Sequence, residues 1–321
     1  MKSITPRRLL LLALLAPLFT LTALADDPVE DNGIYYTLVP KGKIATVTTC
    51  QNGKYSGPIV ISPAITISGT TYSVVGIEDS AFGGSDVTSV TIPNSVTNIG
   101  EGAFSGCSSL TSVTIPNSVT SIPDCCFKDC SSLTSITIPE SVTNLGEFVF
   151  SGSGLTSVSL PSSITKIPFF AYQNCHNMIS ITIPESVTSI ELGAFSGCSN
   201  LNSVQIEGNN VGLGTYSKGR IYDPEDKPDG AYYFDEHGGS HYFGNEHIGV
   251  FENCKKLKSI SGSFSLGVKT FCGCTALASI VVSETWTRIP SYAFYGCSNL
   301  TSIELPNVTS IRSCAFYDCS I

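Results

Sequence analysis

The stretch GEGAFSGCSSLTSVTIPNSVTSIP, Gly100–Pro123, decides the fold because the chain repeats it in close variants. The aromatic residues of successive copies lie 20–23 residues apart, with one step of 56 residues that holds an insertion. A period of about 20–29 residues is typical of a solenoid, whose stacked units bury a core that no unit buries alone. We call the ten aromatic positions the spine: Phe82, Phe104, Phe127, Phe150, Tyr172, Phe195, Phe251, Phe271, Phe294 and Phe316.

Within one unit, the apolar residues predict two extended segments and a turn. Val113 and Ile115 alternate with polar residues, as in a strand that buries one face, and Pro116 follows where this strand ends. Val119 and Ile122 bring a second extended segment back to the core. The piece GEGAFSGC is too short and too rich in glycine for a stable helix, so it predicts one tight turn or one 3₁₀ turn.

The first 25 residues are typical of a secretory signal peptide. Three basic residues precede the apolar run Leu9–Leu15, and Ala23-Leu24-Ala25 provides the small residues that signal peptidase requires. No later stretch contains about 18 consecutive apolar residues, so no transmembrane segment is expected. The sequence therefore predicts a secreted or cell-surface protein.

The charge balance bears on the partner. The chain has 17 Lys and Arg residues against 26 Asp and Glu residues, a net charge of -9, which argues against nucleic acid and anionic membranes. Charged residues make up only 13% of the chain, about half of the usual share of roughly 25%. A polar but nearly neutral surface suits hydrogen bonding to a protein or a glycan.

The repeat consensus L-x-x-V-x-I-P-x-S-V-T-x-I-x-x-x-A-F-x-x-C closely resembles the BspA-like leucine-rich repeat, with Leu110–Cys130 and Met178–Cys198 as the clearest copies. The resemblance covers about residues 75–321, apart from the insertion. It implies an α/β leucine-rich-repeat solenoid that is mostly β, with short helical or 3₁₀ turns and an N-terminal β cap. It also implies a secreted or surface protein of the kind found in anaerobic gut and oral bacteria. Some members of that family act as adhesins, and the family has no shared catalytic residues.

The predicted domain organisation has three parts. A signal peptide spans residues 1–25, an N-terminal β cap spans 26–75, and the repeats span 76–321 with an insertion at 208–248. The insertion is expected to leave the solenoid directly after LNSVQIE and to replace the return segment of its unit.

The insertion is also the first predicted partner-binding surface, because insertions in solenoids project on one face, often the binding face. Its candidate histidines His237, His241 and His247 are of the right type for zinc, but they match no known zinc pattern. We therefore expect an exposed polar loop, without a metal or another cofactor. The aromatic residues predicted to contact a partner are Tyr216, Tyr222, Tyr232, Tyr233, Phe234, Tyr242 and Phe243.

A row of threonines on the exposed strand face is the second predicted surface, represented by Thr111, Thr114, Thr134 and Thr137. Two interpretations stay open. Threonine is favoured in strands, so the row need only be solvated. Alternatively, the row forms a flat recognition surface whose strength comes from many weak contacts.

The thirteen cysteines suggest disulfides in a secreted protein, but their placement favours free thiols. Most of them share one position, three residues after the spine residue, and Ser85 and Ser153 fill that position in two units. A position that accepts Cys or Ser indicates a small, buried, weakly polar group. Better candidates for bridges lie outside this position: Cys50, Cys125, Cys272 and Cys314. We call the shared position the thiol slot, occupied by Cys107, Cys130, Cys175, Cys198, Cys254, Cys274, Cys297 and Cys319.

Catalytic motifs are missing from the sequence, which contains no G-x-S-x-G, H-E-x-x-H or P-loop. The function predicted is a non-enzymatic, adhesin-like binding protein that presents a rigid repeat surface to protein or glycan partners. Two alternatives are a structural envelope or spacer protein without a specific ligand, and a metal-binding function of the insertion.

Overall fold

The computed structural model describes residues 27–215, 232–234, 240–242 and 248–321, and the predicted signal peptide lies outside them. Within these residues the chain forms strands and turns, with no helix. The N-terminal strands are β1 (Val29–Asp31), β2 (Ile34–Val39), β3 (Ile44–Val47), β4 (Ser56–Val60), β5 (Ala64–Ile67) and β6 (Thr70–Ile77). The strands of the units are β7 (Asp86–Thr91), β8 (Asn98–Ile99), β9 (Ser112–Thr114), β10 (Ser121–Ile122), β11 (Asn144–Leu145), β12 (Lys166–Ile167), β13 (Ser180–Ile183), β14 (Ser189–Glu191), β15 (Ser203–Ile206), β16 (Val211–Thr215), β19 (Ser259–Ser261), β20 (Phe264–Ser265), β21 (Arg288–Ile289) and β22 (Ser310–Ile311). The insertion contains β17 (Tyr232–Phe234) and β18 (Ser240–Tyr242).

Two ladders of parallel strands run through the stacked units. The front strands, which follow the thiol slot, pair in the orders β4-β7-β9 and β13-β15-β19, with a single bridge between Thr137 and Ser159 in the gap. The return strands, which follow the proline, pair in the orders β6-β8, β10-β11, β12-β14-β16-β20 and β21-β22. Both ladders direct their apolar residues into one continuous core, as the alternation in the sequence predicts.

The spine is a column of stacked rings. Neighbouring centroids are 5.2–5.7 Å apart from Phe82 to Phe316. The column crosses the insertion without a break, because the rings of Phe195 and Phe251 lie 5.4 Å apart. Tyr55 of the cap extends it, with its ring 4.8 Å from that of Phe82. The predicted stacking of the repeats is therefore confirmed.

The turn segment around each spine residue forms a third connection between units. The N–H groups of Gly102, Phe104 and Gly106 donate to carbonyls of the following unit at 2.9, 3.0 and 2.7 Å. The N–H groups of Ala103 and Ser105, which alternate with them, donate to carbonyls three residues earlier in the same unit. The bonds within the unit confirm the predicted tight turn, and no 3₁₀ or α-helix forms in the described residues. Since alternate amides leave the unit, successive turns form a hydrogen-bonded ladder, which we call the turn ladder.

Left-handed backbone accompanies this ladder at two positions of the unit. The residue two positions after the spine residue has a positive φ in all ten units and is Gly, Asn or Asp in each of them, the residue types that adopt this conformation most readily. The residue two positions before it also has a positive φ, except in the unit of Phe251, but it is chemically mixed. This second set is Ser80, Gly102, Cys125, Phe148, Phe170, Gly193, Lys269, Tyr292 and Cys314.

The thiol slot joins each of eight units to the unit before it. Cys107 Sγ donates to the carbonyl of Phe82 at 3.0 Å, and Cys130 Sγ donates to that of Phe104 at 3.1 Å. All eight thiols of the slot bond in this way to the spine carbonyl of the preceding unit. The thirteen cysteines are all free thiols, including the four outside the slot that were the better candidates for bridges.

The strands of the N-terminal cap pair with both the front strand and the return strand of the first unit. A sheet of order β1-β2-β3-β6-β5 leads into the return ladder, while β4 pairs in parallel with the front strand β7. Glu78, which directly follows β6, binds to strand β3, because its Oε1 accepts a hydrogen bond from Thr46 Oγ1 at 2.6 Å. The Tyr55 hydroxyl, which donates to the carbonyl of Thr48 at 2.7 Å, also accepts the N–H of Tyr35.

The insertion leaves the solenoid later than the sequence predicts. Val211–Thr215 is the return strand of its unit and pairs in parallel with β14 and β20, so residues 208–215 belong to the solenoid. The prediction that the insertion replaces the return segment is wrong. Val211 and Leu213 point inward and are buried, and the strand gives two neighbouring return strands their backbone partners.

Candidate binding surface

The outward side of the front strands forms one continuous surface, which we call the front face. In each front strand two outward residues alternate with inward ones, as Ser112 and Thr114 are exposed while Ile115 is buried. Serine occupies the first of these positions in the front segments of nine units: Ser89, Ser112, Ser135, Ser157, Ser180, Ser203, Ser259, Ser279 and Ser302.

The structure divides the predicted threonine row into two columns. Thr114 and Thr137 are outward residues of the front face and are exposed. Thr111 and Thr134 are also exposed, but they lie at the start of the front segment, where the threonine hydroxyl can bond back to the ladder. Thr111 Oγ1 donates to the carbonyl of Thr88 at 2.9 Å, and Thr156 Oγ1 donates to that of Thr134 at 3.2 Å. This column therefore serves the stack, and the column of Thr114 and Thr137 faces solvent.

The serine column was missed when the sequence was interpreted. The signal was present, since the strict alternation in T-S-V-T-I places serine and the second threonine on the same side of a strand. The first threonine of that motif does not share this side with them and lies at the start of the front segment.

The serine and threonine columns of the front face are uncharged over the first five units. Their residues there are only serine and threonine, and all are exposed apart from the half-buried Ser89. The only charged residue in the front strands of these units is exposed Asp86, at the start of β7. After the insertion, exposed Glu304 occupies an outward position of the front segment. The uncharged set is Ser89, Thr91, Ser112, Thr114, Ser135, Thr137, Ser157, Ser159, Ser180 and Thr182.

A shallow groove interrupts this face between the fourth and fifth units. It has a volume of about 390 Å³, and its rim includes Ser157, Ser159, Thr182 and Glu207. The front ladder is interrupted at the same place, because the bridge at Ser159 is not continued to β13, which pairs only with β15 among the strands. A partner bound in this groove would therefore contact serine and threonine hydroxyls, and beside them the backbone that is not paired in a strand ladder.

The described part of the insertion is a two-stranded antiparallel hairpin. Tyr232 pairs with Tyr242, and Tyr233 pairs with His241, across β17 and β18. Four of the predicted aromatic residues thus lie in this hairpin. The remaining candidates lie outside the described residues: Tyr216, Tyr222, Phe243, His237 and His247.

Reactive groups are few on the described surface. Within residues 27–215, 232–234, 240–242 and 248–321, no group of three His, Cys, Asp or Glu side chains could hold a metal ion. Burial raises the pKa of the Cys107 and Cys175 thiols to about 11 in each case. Because the thiolate is the nucleophile, these slot cysteines are held in their unreactive form at neutral pH.

Glu191, the last residue of the return strand β14, carries a buried carboxylate. Glu191 Oε2 accepts the N–H of Phe169 at 3.0 Å, and Glu191 Oε1 lies 3.6 Å from Lys166 Nζ. Burial raises its pKa, and the neighbouring positive charge of Lys166 opposes that rise. Glu191 also lies at an irregularity in the pairing of β14 with β16. Its bonds therefore stabilise the return ladder next to β16, the strand that leads into the insertion.

Stacked parallel ladders, an aromatic spine and a repeating turn define a leucine-rich-repeat solenoid. The chain belongs to the family described as the BspA type leucine rich repeat region, whose model matches six copies over residues 99–217 and 247–321, more than half of the chain. The resemblance seen in the sequence is thereby confirmed. None of the curated proteins is significantly similar to the chain in sequence.

Solved structures of bacterial proteins share the fold. A leucine-rich repeat protein from Bacteroides ovatus is 24% identical with a TM-score of 0.56, over 91% of this chain and 80% of that one. A leucine rich cell surface protein from Faecalibacterium prausnitzii is 26% identical with a TM-score of 0.52, over 91% of this chain and 86% of that one. In the part of the chain that the structure describes, no helix has the length and apolarity needed to cross a bilayer.

Proposed function

We propose that this chain is a non-enzymatic, secreted or cell-surface binding protein that engages a protein or glycan partner through its front face. The observation that carries the proposal is the uncharged hydroxyl surface of the first five units. Serine and threonine hydroxyls both donate and accept hydrogen bonds, so such a surface matches the neutral polar groups of a glycan or a protein backbone.

The scaffold supports this role through its rigidity. Spine, thiol slot and turn ladder connect every unit to its neighbours, so the front face loses little freedom when it binds. Individual hydroxyl contacts are weak, and a regular surface gains affinity by making many of them at once.

Two further observations agree with a location at the cell surface. The first residues have the pattern of a signal peptide. The similar protein from Faecalibacterium prausnitzii is described as a leucine rich cell surface protein.

The test places charge on the front face. The double variant T114K/T137K adds two lysines at exposed front positions of neighbouring units, and S121K/N144K adds two at exposed return-strand positions of the same units. Wild type is first screened by surface plasmon resonance against a panel of extracellular-matrix proteins and by a glycan array. For each ligand found, the front variant is expected to bind about tenfold more weakly, a loss of about 1.4 kcal/mol, and the control to bind as wild type does.

Two results would contradict the proposal. If the wild type binds no component of either panel, a structural spacer without a ligand becomes the better account. If the front and return variants weaken binding equally, the front face is not the binding surface.

The insertion is proposed as a second contact surface, through its tyrosines and phenylalanines. Replacing residues 216–247 by a short Gly-Ser linker is expected to keep the fold, because Phe195 and Phe251 already stack across the insertion. Affinity for a ligand of the front face is expected to fall in this variant. Unchanged affinity would make the insertion a passive loop, and binding of zinc by wild type but not by the deletion variant would favour a metal site.

A further inference from the structure

Three tyrosines cluster on the turn segments of the last units, away from the front face. The rings of Tyr295 and Tyr317 are stacked with centroids 5.2 Å apart, and the ring of Tyr292 lies 5.8 Å from that of Tyr295. Tyr292 is 36% exposed and Tyr317 is 56% exposed. We call these three residues the tyrosine patch.

Stacking of the units does not require aromatic residues at these positions. Tyr295 and Tyr317 directly follow the spine residue, a position that is small or polar in every other unit. Its other occupants are Gly83, Ser105, Lys128, Ser151, Gln173, Ser196, Glu252 and Cys272.

Tyr292 also has an unfavourable backbone conformation, with a φ of 58°. A bulky residue in the left-handed region is strained, and burial can offset that strain. Phe170 has the same position in its unit and is 3% exposed, so burial of its ring offsets the strain. Tyr292 lacks this degree of burial, so stability alone does not account for its large side chain.

The turn segments already show which chemistry their rings attract. Lys128 Nζ lies 5.7 Å from the ring centroid of Phe148, and Lys269 Nζ lies 5.9 Å from that of Tyr292. Both contacts have the geometry of a cation–π interaction. Among the described residues, no cation lies over the ring of Tyr295 or Tyr317.

A carboxylate accompanies these two rings. Asp318 directly follows Tyr317 in the chain, and after partial burial its negative charge contributes to the raised pKa of the Tyr295 hydroxyl. Asp318 is itself exposed. Exposed rings beside an exposed carboxylate, on a chain of net charge -9, are complementary to a cation.

We propose that the tyrosine patch binds a basic segment of a protein partner, whose arginine or lysine side chain packs on Tyr295 and Tyr317 and pairs with Asp318. Arginine suits the patch best, because its planar guanidinium can stack on a ring while it bonds a carboxylate. The inference rests on the proposed binding function and assigns a partner chemistry to a second surface of the same protein. A neutral glycan could use the rings but would gain nothing from the charge of Asp318.

The test uses a fluorescein-labelled peptide of alternating glycine and arginine, and its counterpart with neutral citrulline in place of arginine. Fluorescence anisotropy is measured at low salt on the full mature chain. Wild type is expected to bind the arginine peptide about tenfold more tightly than the citrulline peptide. The variant Y295S/Y317S is expected to lose most of this preference, and D318N is expected to reduce it.

The chain provides a matched control. Serine is native to this position at Ser105, Ser151 and Ser196, so Tyr→Ser is compatible with the turn. Gln173→Ser introduces serine at the same position of the unit, four units before Tyr295, and is expected to leave binding unchanged. Y295S/Y317S also keeps the net charge, so general attraction of a basic peptide to an acidic chain would survive in it. If Y295S/Y317S binds the arginine peptide as tightly as wild type does, the proposal is overturned.

A glycan arm separates the second class of partner. If neutral dextran binds wild type but not Y295S/Y317S, while the arginine peptide shows no preference, the patch recognises saccharides and the proposal is wrong. The front variant T114K/T137K is expected to bind the arginine peptide as wild type does. A negative result with the arginine peptide therefore does not affect the proposed function of the front face. A negative result for the front face does not prevent the test of the tyrosine patch.

Discussion

The N-terminal half of the solenoid, from the unit of Phe82 to that of Tyr172, differs from the half after the insertion in its front side and not in its interior. In the N-terminal half the inward front residues Ile92 and Ile115 are buried, and the outward residues are all serine or threonine. After the insertion, the equivalent residues Val282 and Leu305 are half-buried. The two front segments that follow β19 also contain no paired strand.

The spine nevertheless continues unchanged through both halves, and the cysteines of the thiol slot make the same bond in both. The ring distances are 5.3 Å for Phe104 to Phe127 and 5.5 Å for Phe271 to Phe294. Cys130 and Cys297 make the same bond at 3.1 Å. The stack is therefore held by its interior and its turns, and the front side is free to vary. Substitutions in the interior and on the front side test this separation of roles.

The largest effect is expected in the middle of the spine. Phe127→Ala removes a fully buried ring that stacks on both sides and should lower the free energy of unfolding by about 3–5 kcal/mol. Phe316→Ala removes a half-buried ring with one stacked neighbour among the described residues, so its loss should be smaller. Urea unfolding followed by circular dichroism measures both. Equal losses would show that the spine is not a continuous column.

A gain in stability is expected at the one tyrosine of the spine. The Tyr172 hydroxyl is buried and, among the described residues, has no hydrogen-bond partner. Burial of an unsatisfied hydroxyl costs about 1–3 kcal/mol, so Tyr172→Phe should raise the free energy of unfolding by about that amount. Differential scanning calorimetry would show a higher Tm. A lower Tm would mean that the hydroxyl is satisfied and that the tyrosine is required.

The thiol slot should prefer a donor over an equally large apolar group. Cys130→Val removes the bond to the carbonyl of Phe104 and should cost about 0.5–1.5 kcal/mol. Cys130→Ser keeps a donor of the kind present at Ser85 and Ser153, and should cost less. Urea midpoints compare the two variants. If the valine variant is as stable as the serine variant, side-chain size and not hydrogen bonding determines stability at the slot.

The join between cap and solenoid should weaken in acid. Burial acts to raise the pKa of Glu78, but hydrogen bonds from the hydroxyls of Thr46, Thr48 and Thr37 outweigh it, so the pKa is lowered overall. A carboxyl whose pKa is lower in the folded state contributes stability above its unfolded pKa of about 4.3 and loses it as pH falls further. Tm should therefore fall less in E78Q than in wild type between about pH 5 and pH 3. Parallel curves would contradict this role of Glu78.

The smallest effect is expected on the front side after the insertion. Val281 is 78% exposed at the position that is threonine in Thr114 and Thr137. Val281→Thr should change the free energy of unfolding by less than about 0.5 kcal/mol, because an exposed side chain contributes little to the stack. Urea unfolding tests this, and a larger loss would give the front side a part in stability.

The interior could be predicted from the sequence because burial restricts residue type. Spine, thiol slot and inward positions of both ladders repeat the same residues, so their period is visible. The left-handed position after the spine residue is also visible, since it is always Gly, Asn or Asp. The one before it is not, because residues as different as Ser80, Phe148 and Lys269 share the same backbone there. The turn ladder uses backbone amides only and therefore has no side-chain signature.

The binding surfaces were predicted less completely, for a physical reason. Exposed positions accept many residues, so only alternation shows which of them share a face, and the serine column was missed until the front strands were placed. The return strand β16 was missed because glycines interrupt its short apolar pattern, V-G-L-G-T. The tyrosine patch joins residues of two units and of two positions within the unit, which only the stacked structure brings together.

Native-state alkylation of the cysteines tests most directly whether all units stack into one core. The mature chain is treated with iodoacetamide with and without guanidinium, and each site is quantified by peptide mass spectrometry. Cys314, which is exposed, should react first in the native state. Protection until unfolding is predicted for the buried thiols Cys107, Cys126, Cys130, Cys175, Cys198, Cys254, Cys274 and Cys297. Rapid native labelling of these cysteines, or disulfides between them, would contradict the stacked core.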